Sequence, residues 1–273
     1  VRFPLGVPSQ SALGSPKGAF LFGVRPLKPL LYLHGFSGGT WEGQVLQERF
    51  GYPVQAVEMP GHQGVIPGEH FHFDEAVERV VRVASECRNP VNLVGYSMGA
   101  RVGLAAVLRA PTCFERAVFI GVRPGIESVA EREARKRLDE VRAQKLDDLG
   151  IEDFMDWWET LPVIASQIGI EPEIREAMKR VRRQHSGAGL SASLREMGAG
   201  AMPSLWSALE ALEVSCLLVT GERDERFAAI AEEMLKRSDR LVHAQLVDAG
   251  HCAHWEQPEA FGELLSQFLG RDD

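Results

Sequence analysis

Gly95-Tyr96-Ser97-Met98-Gly99 constrains this chain more than any other five residues. The apolar run Val91-Asn92-Leu93-Val94 before it reads as a buried strand, and residues 100–108 after it read as a helix. A serine on so sharp a strand-to-helix turn points its hydroxyl out of the sheet. The two glycines are needed because side chains there would collide with the neighbouring strand and helix. The pentapeptide alone is common by chance; the strand and helix that frame it carry the information.

The rest of the chain repeats this alternation of short β-type runs and helical patterns, which points to a mostly parallel sheet with helices on both faces. Strands are expected at Leu30-Leu31-Tyr32-Leu33, at 54–59, at Ala117-Val118-Phe119-Ile120, at 216–220 and at Ala244-Gln245-Leu246-Val247. Thr40 is expected to cap a helix reaching Phe50, and Asp74 one spanning 73–87. Residues 123–213 break the alternation with amphipathic helices and no convincing strand. An insertion of that length is more readily a cap than a structureless loop. The expected fold is α/β, with residues 1–122 and 214–273 forming the core and 123–213 a helical cap inserted late in the sheet. The charge-dense run 131–140 inside the cap reads as a solvated helix face with i,i+4 pairs.

Strand ends along one edge of a parallel sheet form its ligand crevice. A serine hydroxyl there needs an imidazole to take its proton and a carboxylate to orient that imidazole. The chain order in such a sheet is Ser, acid, His. Asp224 follows the penultimate strand and His251 the last one. Asp224 could instead cap the helix after it, with Asp248 as the acid, but Asp248 is only three residues before His251 and shares its loop. His34 and His62, also at strand ends, are read as braces of the crevice. The backbone N–H groups of Met98 and Phe36 are the expected oxyanion donors. Arg101 is locally misplaced: it lies in the first turn of the helix after Ser97, where the helix dipole disfavours a cation. Two readings stand for it, an anionic ligand and a salt bridge to a nearby acid.

A formal net charge of −8 argues against nucleic acid and anionic membranes as partners. No apolar stretch approaches the roughly 18 residues that span a bilayer, and residues 1–20 lack a signal-type apolar centre, so membrane insertion is not expected and the cytoplasm is the expected location. Cys87, Cys113, Cys216 and Cys252 are widely spaced and read as buried reduced thiols, with no metal site.

Leu33-His34-Gly35-Phe36-Ser37-Gly38, Pro60-Gly61-His62, the serine pentapeptide with Ala100-Arg101, and Pro124-Gly125-Ile126 before the Glu/Arg-rich helix occur together. So do the stretch from Ser193-Leu194-Arg195-Glu196-Met197-Gly198 to Pro203-Ser204-Leu205-Trp206, Gly221-Glu222-Arg223-Asp224, and Ala249-Gly250-His251. With these the chain resembles α/β-hydrolases from about residue 29 onward. Within them it is similar to the menaquinone-pathway lyases that form 2-succinyl-6-hydroxy-2,4-cyclohexadiene-1-carboxylate. The resemblance implies Ser97, Asp224 and His251 as a triad acting as base in a pyruvate elimination. It implies Arg101, Arg135 and Arg182 as carboxylate-binding arginines, with Arg180 and Arg183 as neighbours of Arg182 that could exchange with it. Tyr96, Trp157 and Trp206 would be pocket neighbours. Ala199 and Met202 depart from the residues usual there, which puts specificity in question. The implied partner is a small polycarboxylate substrate, with no cofactor, on a monomer or small homo-oligomer. A serine hydrolase, either an esterase or a carbon–carbon bond hydrolase, is the competing reading. A non-catalytic binding protein on the same fold is the third.

Overall fold

The computed structural model describes residues 28–63, 72–88 and 90–270. The N-terminal stretch read above for targeting signals lies outside them. Six parallel strands form one sheet: β1 (Leu30–Leu33), β2 (Val54–Val57), β3 (Val91–Tyr96), β4 (Phe114–Ile120), β5 (Ser215–Gly221) and β6 (Leu241–Leu246), in the order β2-β1-β3-β4-β5-β6. β1 and β3 are buried along their whole length. That is why they read as unbroken apolar runs. β6 sits at the edge, and only its ends, Leu241 and Leu246, are buried. Its interior His243 and Gln245 hid its true start, so the expected strand at 244–247 covers only its second half and overruns it by one residue.

Side chains alternate across the sheet. Leu31 and Leu33 of β1 face a layer that includes α2 (Phe73–Ser85), α3 (Met98–Arg109) and α8 (Glu225–Leu235). Leu30 and Tyr32 face the opposite layer, which holds α1 (Trp41–Phe50), α9 (Ala253–Glu256) and α10 (Pro258–Leu269). Two of the expected caps differ in detail. Thr40 stands at the N-cap of α1 but makes no side-chain bond there; the Glu42 carboxylate accepts the N–H of Gly39 instead, at 3.2 Å. His72, not Asp74, is at the N-cap of α2, and Asp74 pairs with Arg109 at 2.8 Å.

Between β4 and β5 the chain runs through α4 (Val129–Glu159), α5 (Pro162–Ala165), α6 (Pro172–Gln184) and α7 (Gly187–Met197), with no strand. Gly150, at φ 76°, breaks α4 in two. Ala143, Leu146, Phe154, Met155 and Trp158 of α4 pack against Leu190 and Leu194 of α7 as a separate small core. The run 131–140 is not wholly solvated: Asp139 is 2% exposed. Arg135 is its i,i+4 partner, and the pair faces inward. Gly198 and Gly200 let the chain after α7 press on α4, since a Cβ on Gly200 would lie 2.7 Å from the backbone nitrogen of Lys136. Among the described residues no helix is long and apolar enough to cross a membrane.

Candidate active site

Ser97 joins β3 to α3 with φ 51° and ψ −103°, a backbone region that non-glycine residues rarely adopt. Neighbouring glycines make the turn possible. A Cβ on Gly95 would lie 2.8 Å from Cα of Ala100, and one on Gly99 would overlap the carbonyl oxygen of Leu33.

His251, on the loop after β6, reaches this serine. Its Nε2 lies 3.0 Å from Ser97 Oγ, and its Nδ1 lies 2.6 Å from Asp224 Oδ2. Asp224 stands at the N-cap of α8 yet makes no capping bond; its carboxylate faces the imidazole. Asp248 is exposed, at φ 56°, with its backbone N–H bound to Glu222. With Nδ1–H donating to Asp224, Nε2 is free to take a proton from the hydroxyl. Phe227 and Tyr96 flank the ring at centroid distances of 4.5 and 5.6 Å.

The loop around His251 is clamped by a residue that the sequence reading passed over. The buried Glu256 carboxylate accepts the N–H of Gly250 at 2.7 Å and that of Cys252 at 3.1 Å. These are the residues on either side of His251. Ser166, which follows α5, donates its hydroxyl to the same carboxylate at 2.9 Å. Glu256 lies five positions beyond His251 in the short helix α9, a spacing the sequence displays but does not explain. Cys252 is buried, and that burial raises its thiol pKa. Cys87 and Cys113, by contrast with the expectation, are only half-buried.

The loop after β1 carries Phe36. His62 Nε2 accepts the N–H of Ser37 at 3.0 Å, and His185, between α6 and α7, donates from Nε2 to Ser37 O at 3.2 Å. His34 lies 2.8 Å from Glu58. Phe36 and Met98 both line the cavity beside Ser97. Met98 opens α3, so its N–H has no partner within the helix.

That cavity has a volume of about 200 Å³. Six arginines line it: Arg101, Arg123, Arg135, Arg142, Arg182 and Arg226, against the carboxyls of Glu42 and Asp139. Arg135 Nε donates to both oxygens of Asp139, at 2.9 and 2.8 Å, and Arg142 reaches the same group at 3.3 Å. Arg182 is buried between Gln167, at 2.5 Å, and Glu159, at 3.3 Å; Arg183 reaches Glu159 and Asp156 and does not line the cavity. Of the two readings for Arg101, the salt bridge is not formed among the described residues. Its guanidinium donates to the backbone carbonyl of Met197 at 2.7 Å, and no described carboxylate pairs with it. Burial, then the charge of Arg135, lowers its pKa to about 9, so it stays protonated at neutral pH. Glu42 is buried, with its pKa raised by that burial, and accepts from Tyr32 at 2.5 Å.

Tyr96 lines the cavity, but Trp157 and Trp206 do not. Trp41 and Trp158 stand there instead. Trp157 stacks under Lys145, and Trp206 donates to Gly125 O at 3.3 Å beneath the turn after β4. One residue of helical phase separates Trp157 from Trp158, and the break at Gly150 obscures that phase. Ala199 and Met202 are buried away from the cavity lining. Arg123, Arg142 and Arg226 were not singled out from sequence, although Arg123 follows β4 and Arg226 follows Asp224 by two. Among the described residues no group of His, Cys, Asp or Glu is arranged to hold a metal ion.

A family model described as the alpha/beta hydrolase family matches residues 30–264. The chain belongs to the alpha/beta hydrolase family. A putative 2-succinyl-6-hydroxy-2,4-cyclohexadiene-1-carboxylate synthase from Bacillus subtilis is 31% identical to this alpha/beta hydrolase over 252 residues, 90% of this chain and 92% of that protein. The synthase of that name from Citrobacter koseri is 33% identical over 266 residues, 90% of this chain and 96% of that one. Among solved structures, MenH from S. aureus superposes with a TM-score of 0.84 at 30% identity, covering 89% of this chain and 93% of that chain. A thermophilic esterase from Thermogutta terrifontis reaches 0.72 at 21% identity over 89% of each chain, a likeness of fold.

Proposed function

We propose that this alpha/beta hydrolase is a lyase. It eliminates pyruvate from 2-succinyl-5-enolpyruvyl-6-hydroxy-3-cyclohexene-1-carboxylate to give 2-succinyl-6-hydroxy-2,4-cyclohexadiene-1-carboxylate. The observation that carries this reading is the charge of the cavity wall: six arginines against two carboxyls, around a serine that is hydrogen-bonded to a histidine. A substrate with three carboxylates suits such a wall through charge-assisted, often bidentate bonds. The named relatives support the same reaction.

In the proposed mechanism His251 Nε2 takes the Ser97 hydroxyl proton, and Asp224 stabilises the imidazolium that forms. The Ser97 oxygen removes a proton from the carbon next to the substrate ketone. Negative charge gathers on the ketone oxygen, which the N–H groups of Phe36 and Met98 receive. The ring carbon–oxygen bond then breaks. Enolpyruvate leaves with its electron pair, takes the proton held by His251 and becomes pyruvate, so no water is consumed. Arg101, Arg135 and Arg182 hold the carboxylates.

The test is pyruvate release from the enolpyruvyl substrate. Fast release, lowered at least about a thousandfold in Ser97→Ala, is the expected result. A serine hydrolase remains the second reading, favoured by the apolar share of the lining, with Phe36, Trp41, Trp158, Ile164 and Phe227. Turnover of p-nitrophenyl esters with no pyruvate formed would select it.

A further inference from the structure

The cavity's arginines fall into two sets. Arg135, Arg142 and Arg182 come from the cap helices, and each already holds a carboxylate of the chain itself. Arg101, Arg123 and Arg226 come from α3, from the end of β4 and from α8, and among the described residues none of them has an acid within 4.0 Å. The buried Nε of Arg123 has no hydrogen-bond partner, and Arg226 makes no ion pair among the described residues. Five guanidinium groups, all but Arg182, press on one another around a single buried carboxylate, Asp139. Burial and the charges of Arg226 and Arg135 bring Arg123 down to about 10. Solvent screens Arg226, which is exposed, but Arg101 and Arg123 are half-buried and keep their mutual repulsion. Such a set is unfavourable alone and favourable around an anion.

We propose that Arg123 and Arg226, together with Arg101, form a second carboxylate subsite on the core side of the cavity, separate from the Arg182 end. This deepens the polycarboxylate reading above and rests on it for the identity of the ligand. The chemistry of the pairing is already displayed within the chain, where Arg135 grips both oxygens of Asp139. The two ends differ in standing charge. Arg182 is offset by Glu159, whereas no member of the core-side set makes an ion pair among the described residues, and Arg101 and Arg123 feel only the more distant charges of Asp139 and Glu131. A ligand with carboxylates at both ends would therefore be oriented, its more anionic end toward Arg123 and Arg226.

Titration calorimetry of the full chain with citrate tests this. Wild type binds citrate, and R123M and R226M each weaken it about tenfold or more, with a smaller salt dependence. R109M, at the far end of α3, leaves binding within about twofold. R123K, which keeps the charge without the fork, falls between. If R123M does not fold, R226M, on an exposed helix position, decides alone. No saturable citrate binding to wild type, or unchanged binding in R226M, overturns the subsite. Inorganic phosphate binding as tightly as citrate overturns the carboxylate assignment. Pyruvate release is read separately: a chain that binds citrate through these arginines but forms no pyruvate keeps the subsite and loses the elimination.

Discussion

Asp224 directs its carboxylate to His251 Nδ1, 2.6 Å away, although it stands at the N-cap of α8, where such a group would ordinarily bond the helix. The helix start forgoes a cap and the imidazole gains a fixed tautomer. Asp224→Asn should therefore cost catalysis far more than stability. The amide offers either its oxygen or its NH2, and the NH2 would favour the wrong imidazole tautomer. We expect kcat to fall by roughly a thousandfold or more, with a melting temperature close to wild type. A variant that melts early and retains its rate would assign Asp224 to the helix and not to the site.

Glu256 acts on His251 without touching it. Its two oxygens hold the N–H groups of Gly250 and Cys252 and also receive Ser166. Glu256→Gln presents one carbonyl oxygen where two carboxylate oxygens were used. One buried N–H is left unpaired, at a cost of about 1–3 kcal/mol, and the imidazole loses its fixed position. The expected signature is a kcat lowered roughly 10–100-fold with KM nearly unchanged, since a small misplacement is felt mainly at the reacting atoms. Ser166→Ala should shift kcat in the same direction by less. A rise in KM that matches the fall in kcat/KM, with kcat unchanged, would instead place Glu256 in binding.

Much of this arrangement was legible in the sequence because backbone geometry announces itself. Ser97 needed its glycines, and Asp224 and His251 followed the last two strands, so position alone named them. Side-chain direction on the cap helices was not legible. Trp157 and Trp158 are adjacent, and choosing between them requires the helix phase after the Gly150 break, which only packing against Phe154 and Leu194 determines. The run around Arg135 looked solvated because its charges alternate, yet Asp139 is buried by the glycine-lined segment after α7. Arg123 and Arg226 carry no local oddity. Their meaning comes from converging on one cavity, a long-range fact.

Acid should destabilise the fold before its ordinary carboxylates titrate. His62 uses both ring nitrogens as a neutral imidazole, accepting from Ser37 and donating to Pro60. Burial, then the charges of His34 and His185, hold its pKa well below 6.5. Burial also lowers His185, and it brings His254 to about 3. In each case the unfolded chain takes up a proton below about pH 6.5 and the folded chain does not. Their stability is thus full above that pH and is lost as pH falls toward the folded values. His34 runs the other way: burial lowers it, but Glu58 more than offsets this, and its contribution fades as pH rises. Glu42, whose pKa burial raises, runs with His34, so three histidines stand against two groups and the melting temperature drops between about pH 7 and pH 5. His254→Phe should flatten that drop, and an unchanged slope in the variant would remove His254 from the account.

Arg101 joins core and cap as well as lining the cavity, through its bond to Met197 O. Arg101→Ala should lower kcat/KM by about 1.5–3 kcal/mol in transition-state terms, the loss of one charge-assisted contact. The protein should remain folded, because the freed carbonyl ends a helix and can be met by water. A normal kcat/KM would take Arg101 out of the site.

Cap and core also meet at two glycines. A Cβ on Gly189 would lie 2.5 Å from the carbonyl oxygen of Gly61, and one on Gly61 would overlap the carbonyl of Gly189. Gly61 also has φ 84°, so alanine there is strained by its own backbone, whereas Gly189 lies in α7, where alanine is a better helix former. Gly189→Ala thus isolates the contact. Helix propensity alone predicts stabilisation; the clash predicts that α7 is pushed away from the Gly61 turn, carrying Met197 and Leu194 with it. Because both residues line the cavity wall, we expect KM to rise several-fold while Ser97 keeps its reactivity toward a fluorophosphonate. A variant with wild-type KM and a higher melting temperature would show that the seam yields without moving the cap.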